Sequence, residues 1–130
     1  MFDVRRMPFR DACIPVYTSH VGLQNVAHPR RAVEEISRTL KGHMFATSIF
    51  YPEGDPETHQ LLMENGLDDL CYMDSALRLF AETGLRARVE NSMKVRALPT
   101  PRSELLGGAG VDALPVKEMI IRWCTLVAMH

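Results

Sequence analysis

The chain has 130 residues, 46% of them hydrophobic and 24% charged, with a formal net charge of −1. That length and balance fit one domain with an ordinary core and exclude a disordered chain. The arginines are numerous but spread out, so the concentrated field of a nucleic-acid-binding surface is not expected.

The three cysteines, Cys13, Cys71 and Cys124, form no CxxC pair and no zinc spacing. They read as small core hydrophobes of a reduced, cytoplasmic protein, with no metal site. No apolar run is long enough for a membrane span, and Met1–Arg6 has no apolar signal region behind its charges.

In chain order, residues 1–12 read as a loop punctuated by Pro8. Ile14–Ser19 (IPVYTS) is short, β-branched and apolar on both faces, as a buried parallel strand is. Pro15 cannot donate to a ladder, which puts it at the strand's start or on a sheet edge. A turn spans His20–Ala27. Pro29 then opens a helix in which Ala32, Val33, Ile36 and Leu40 form the apolar stripe. The charged residues between them, including Arg30, Arg31, Glu34 and Glu35, read as a solvated face. Gly42 reads as the stop of that helix, and Met44–Tyr51 as a second buried strand. Asp55-Pro56 is an N-cap and a first-turn proline, starting a helix that runs to about Asn65 before Gly66.

A third helix is expected from Asp74 or Ser75 to Gly84, burying Met73, Ala76, Leu77 and Phe80. From Leu85 the period changes to two. Leu85, Ala87, Val89, Met93, Val95 and Ala97 define a strand with one solvated face. Residues 99–116 are rich in proline and glycine and read as a loop or broken helix. Met119–Met129 is a final strand. The order of elements is α/β: two parallel leading strands, then an antiparallel C-terminal pair, with helices packed on the faces.

The opening third follows a recognisable motif order. Asp3-Val4-Arg5-Arg6-Met7-Pro8-Phe9 leads into the strand Ile14–Ser19. Gly22-Leu23-Gln24-Asn25-Val26 follows, then the helix from Pro29 to Leu40 and Lys41-Gly42-His43. This pattern resembles the C-terminal half of class I S-adenosylmethionine-dependent methyltransferases of the ubiquinone/menaquinone-biosynthesis type. The resemblance covers the whole chain in architecture and residues 3–50 in motif. It implies a Rossmann-like sheet, of which residues 1–130 form one partial domain of about four strands. It also implies S-adenosylmethionine as cofactor and methyl transfer to a small molecule.

Residue by residue, the resemblance places Asp3 on the adenine amino group and the Val4 backbone on the adenine ring. Ser19 and His20 fall at the strand end facing the methionine portion and the methyl group. Gln24 and Asn25 fall near the substrate. His20 and Asn25 are thus the catalytic candidates, Asp3, Val4 and Ser19 the cofactor candidates, and Gln24 and Asn25 the substrate candidates. Ligands do bind open α/β sheets at the carboxyl ends of their strands, and such transfer needs alignment and a nearby base more than a covalent nucleophile. The residues alone also admit plainer roles: a surface histidine, a turn cap at Gln24-Asn25, a solvated terminal aspartate. Three positions depart from the family pattern: Pro15 for an acidic residue, Gln24 for an arginine, and His43 in the Leu-Lys-Pro-Gly-Gly turn.

The family's cofactor loop, an acidic residue and then Gly-x-Gly-x-Gly after a first strand, would lie before residue 1. Gly107-Gly108-Ala109-Gly110 follows no such strand and reads as an ordinary loop. The family sheet has seven strands, with the cofactor across its middle. Four contiguous strands leave Ile14–Ser19 without its neighbour, an apolar edge prone to association. The expectation is a homodimer through that strand, with pairing to a separately encoded N-terminal half, or the N-terminal residues folding over the strand, as the alternatives. The alternative function is a non-catalytic dimerisation module.

Overall fold

The structure is a computed structural model and describes residues 1–99, 115 and 117–130. The loop expected over residues 99–116, with its glycine cluster, lies almost wholly outside the described residues.

Four strands, β1 (Ile14–His20), β2 (Leu40–Phe50), β3 (Arg86–Ala97) and β4 (Met119–Met129), form one sheet in the order β1-β2-β4-β3. β1 runs parallel to β2, and β4 runs antiparallel to both β2 and β3. The helices are α1 (Arg30–Thr39), α2 (Pro56–Glu64), the one-turn α3 (Asp68–Cys71) and α4 (Met73–Glu82), with a 3-10 turn at Gly22–Asn25. No helix among the described residues is long and apolar enough to cross a membrane.

Strand alternation sorts the side chains onto two faces. On the first lie Tyr17, Ser19, Met44, Ala46, Cys124, Leu126 and Ala128, which the register brings together. Val33 and Ile36 of α1, Leu70 of α3, and Ala76, Leu79 and Phe80 of α4 close over that face as the main core. On the second face, α2 covers one end only. Leu62 packs there with Tyr51, Cys71, Tyr72 and Ile121. The rest of that face leaves Val16 and Phe45 about half exposed (52% and 45%), and Met93 on β3 more so (61%).

Four sequence expectations change. Gly42 does not end a helix. α1 passes directly into β2 at Leu40, and Gly42 sits inside the strand, where the register against β1 shifts at Pro15. A Cβ at Gly42 would run into the carbonyl oxygen of Pro15, so the two backbones approach as only glycine permits. α4 starts at Met73 with no side-chain cap, and adds Leu79 to the buried stripe, while Met73 and Leu77 pack part-buried against the core. In β3 a bulge lies between Val89 and Asn91 and turns the strand over. Ala87 and Val89 therefore pack into the main core, whereas Val95 and Ala97 pack into the second cluster.

The fourth change is at Glu35, which is not part of a solvated face. Arg38 donates to its Oε1 from Nε (2.8 Å) and to its Oε2 from Nη2 (2.9 Å), and the Met7 N–H also donates to Oε2 at 2.8 Å. Arg38 also donates to the Phe9 carbonyl (2.8 Å), the Met7 carbonyl (3.2 Å) and Asp11 (2.7 Å). This latch straps residues 7–11 onto α1 and satisfies backbone groups that no strand or helix pairs. Replacing Arg38 with Ala is expected to lower the thermal midpoint by roughly 10 °C, read by differential scanning calorimetry.

These hydrogen bonds from Arg38 and Met7 hold the Glu35 carboxyl down at about 2. Asp55 is likewise held at about 2 by Lys117, with the Thr58 N–H adding to it. For both, the folded value lies below the unfolded one, so the unfolded chain binds more protons as pH falls. Stability from these groups is complete above their ordinary values of 4.5 and 3.8 and is lost as pH falls toward 2. Urea midpoints should therefore fall steeply across that window, and less steeply in the Glu35→Gln variant.

Candidate functional site

β1 and β2 run parallel, so their carboxyl ends share one edge of the sheet. There the chain leaves β1 at His20 and turns sharply. Val21 adopts φ 56°, a left-handed conformation that a β-branched residue rarely takes, and its N–H donates to the Thr47 carbonyl at 3.0 Å. Such strain costs on the order of 1–3 kcal/mol and gathers at functional sites. The 3-10 turn that follows carries Gly22, Leu23, Gln24 and Asn25.

A hollow of about 230 Å³ opens beside this turn, lined by Val4, Ser19, Gly22, Leu23, Val26 and Met44 among others. The latch on residues 7–11 carries Val4 to this place. The Ser19 hydroxyl accepts from the Leu23 N–H at 3.3 Å and fixes the floor. Val4 and Ser19, distant in sequence, thus share one wall. The volume falls below the roughly 300–1,000 Å³ of a small-molecule pocket.

The other candidates lie elsewhere. Asp3 is exposed and bound to Arg5, which donates from Nη2 at 2.9 Å and from its backbone N–H at 2.9 Å. Those hydrogen bonds hold its carboxyl below the ordinary range. His20 follows Ser19 in a strand and so projects from the opposite face. Its Nδ1 hydrogen-bonds the Thr47 hydroxyl at 2.7 Å, and its ring lies 5.8 Å from that of Trp123.

Gln24 is buried at 2% exposure. Its amide nitrogen donates to the carbonyls of Ile49 and Leu70, the latter at 3.0 Å, and its oxygen accepts from the Ile49 N–H at 2.7 Å. The side chain ties the 3-10 turn to β2 and α3, and its hydrogen-bonding groups are committed to backbone. Asn25 is exposed, with its amide 3.4 Å from the Val21 carbonyl. Among the described residues no cluster of His, Cys, Asp and Glu is arranged to hold a metal.

No family model and no curated protein matches the sequence. Solved structures do. A protein of Bacillus halodurans assigned as a methyltransferase superposes with a TM-score of 0.62 at 15% identity, over 98% of this chain and 68% of that one. A Galdieria sulphuraria protein assigned as a sarcosine dimethylglycine methyltransferase gives 0.64 at 14% identity, over 98% and 56%. The chain has a class I methyltransferase-like fold. A phosphoethanolamine N-methyltransferase of Haemonchus contortus, solved with S-adenosylhomocysteine, gives 0.58 at 13% identity, over 98% of this methyltransferase-like chain and 36% of its own. The chain thus spans about two thirds of the Bacillus protein (68%) and less of the other two.

The Glu35–Arg38 latch was missed from sequence because a Glu and an Arg three apart on a helix read as a surface pair. A usable signal lay in the segment before β1, whose backbone has no ladder of its own to join.

Proposed function

We propose that the chain is the cofactor-facing half of an S-adenosylmethionine-dependent small-molecule methyltransferase, and that its sheet is completed by pairing along β1. The observation that carries this reading is the placement of Val4 and Ser19 in one hollow at the carboxyl end of an edge strand. In this reading the hollow receives the adenosyl part of the cofactor. The Val4 backbone and Ser19 line it, Asp3 meets the adenine amino group after release from Arg5, and Asn25 faces the acceptor. His20 serves as base from the far side of the strand end. Gln24 supports the turn on which Asn25 stands. S-adenosylmethionine supplies an electrophilic methyl group on sulfonium, and the chain's own residues bind, align and accept a proton.

β1 pairs only with β2 among the described residues, so its other edge offers free backbone groups. Half-exposed Val16 and Phe45 continue that edge onto the second sheet face. A second copy of this cytoplasmic chain, pairing through β1, is the partner we assign. An N-terminal half supplied separately would cover the same surface.

The test is a two-dimensional amide NMR titration with S-adenosylhomocysteine at millimolar concentration. Shifts confined to Val4, Ser19, Gly22 and Leu23 are expected. Shifts absent from all four would refute the cofactor reading. The exposed edge also favours the rival reading, a non-catalytic dimerisation module. A dimer by light scattering with no shifts in the titration would establish that one.

A further inference from the structure

A second hollow, of about 450 Å³, lies at the end of β2 and is lined by Glu53, Gly54, Asp55, Pro56, His59, Tyr72 and Ser75. It belongs to none of the residues assigned above. Its volume falls within the roughly 300–1,000 Å³ of small-molecule sites. Three features define what would fit.

The first is the wall. The His59 and Tyr72 rings stand 5.8 Å apart, tilted by 48°, and present apolar surface. The second is charge. Asp55 caps α2 by accepting from the Thr58 N–H at 3.0 Å and is paired with Lys117. Glu53 has no ion-pair partner among the described residues. Of the two carboxylates that line the hollow, Asp55 is thus paired and Glu53 is left without a salt bridge among the described residues. The third is an unpartnered group. Tyr72 is only 7% exposed, and its hydroxyl has no hydrogen-bond partner among the described residues. A buried hydroxyl left unpaired costs about 1–3 kcal/mol, and a ligand that reaches it recovers that cost.

We propose that this hollow binds a small organic amine, with its ammonium group between the Glu53 carboxylate and the Tyr72 hydroxyl oxygen and its carbon skeleton against the His59–Tyr72 wall. The ammonium donates to both oxygens, and the Tyr72 ring adds a cation–π attraction. An anion of the same shape meets Glu53 and Asp55 and is repelled. The proposal stands on this pocket alone and needs neither cofactor nor a completed sheet.

The experiment uses the full chain with phenethylamine as the probe and phenylacetate as its anionic counterpart, followed by NMR shifts of His59 and Ser75. Phenethylamine should bind with a millimolar dissociation constant, and phenylacetate at least about tenfold more weakly. Glu53→Gln and Tyr72→Phe should each weaken phenethylamine by about fivefold or more. Glu53→Gln should keep the wild-type thermal midpoint and Tyr72→Phe should hold or raise it, since neither removed group has a partner among the described residues. Equal binding of the two probes, or either variant binding phenethylamine as tightly as wild type, overturns the proposal. Failure of S-adenosylhomocysteine to shift Val4 or Ser19 would count against the methyl-transfer reading and leave this one standing.

Discussion

Replacing Gly42 with Ala should destabilise the protein by roughly 3 kcal/mol and loosen β1. The new Cβ would collide with the backbone carbonyl of Pro15, which no rotamer change can move aside. Relief requires the two strands to separate where the register already shifts between Ile14 and Val16. Amide exchange should therefore rise along β1 well beyond its rise in β3 and β4. Gly22→Ala is the control. A Cβ there meets nothing closer than the Ser19 hydroxyl oxygen at 3.5 Å, an ordinary contact. A thermal midpoint unchanged by Gly42→Ala would show that the β1–β2 crossing is not packed as described.

The second large effect is expected at Gln24. Truncation to Ala strips partners from the Ile49 N–H and carbonyl and from the Leu70 carbonyl. These groups sit between the 3-10 turn, β2 and α3, where water does not replace a lost partner freely. At about 1–3 kcal/mol for each buried group left unpaired, with partial relaxation, the loss should be roughly 3–5 kcal/mol. Gln24→Glu should cost a comparable amount, because a carboxylate cannot donate to the two carbonyls. Urea unfolding monitored by circular dichroism measures both. A Gln24→Ala midpoint close to wild type would return Gln24 to the substrate-facing role that the family resemblance implies.

Much of the fold was legible where one physical signal acted alone. β4 occupies Met119–Met129 as expected, because a β-branched and aromatic run has one good solution. α1 follows from Pro29 and the stripe of Ala32, Val33 and Ile36, all now buried. Asp55 caps α2 through the Thr58 N–H as its sequence position demands. The misreadings arose where two signals competed. Gly42 marks helix ends in general, but here it permits a close strand crossing with a proline that donates no hydrogen bond. In β3 the period of two persists in the letters, while the bulge after Val89 reverses the faces in space.

The candidate site was legible by resemblance more than by chemistry. Val4 and Ser19 do converge, because Arg38 straps the intervening segment down. Ser19 and His20 were expected on the same cofactor, yet neighbours in a strand point to opposite faces. Gln24 carries a polar side chain where the resemblance implies substrate, but nothing in one sequence reveals that its amide is committed to the backbone. The hollow at Glu53, His59 and Tyr72 left no trace in any local pattern. Its residues come from a loop and two helices that only tertiary packing brings together.

In the proposed function the chain supplies one wall of a nucleoside pocket and not the whole. Isothermal titration calorimetry of the chain alone with S-adenosylmethionine tests this most directly. Heats too weak for any dissociation constant tighter than millimolar are predicted. A one-to-one isotherm in the low-micromolar range would contradict it.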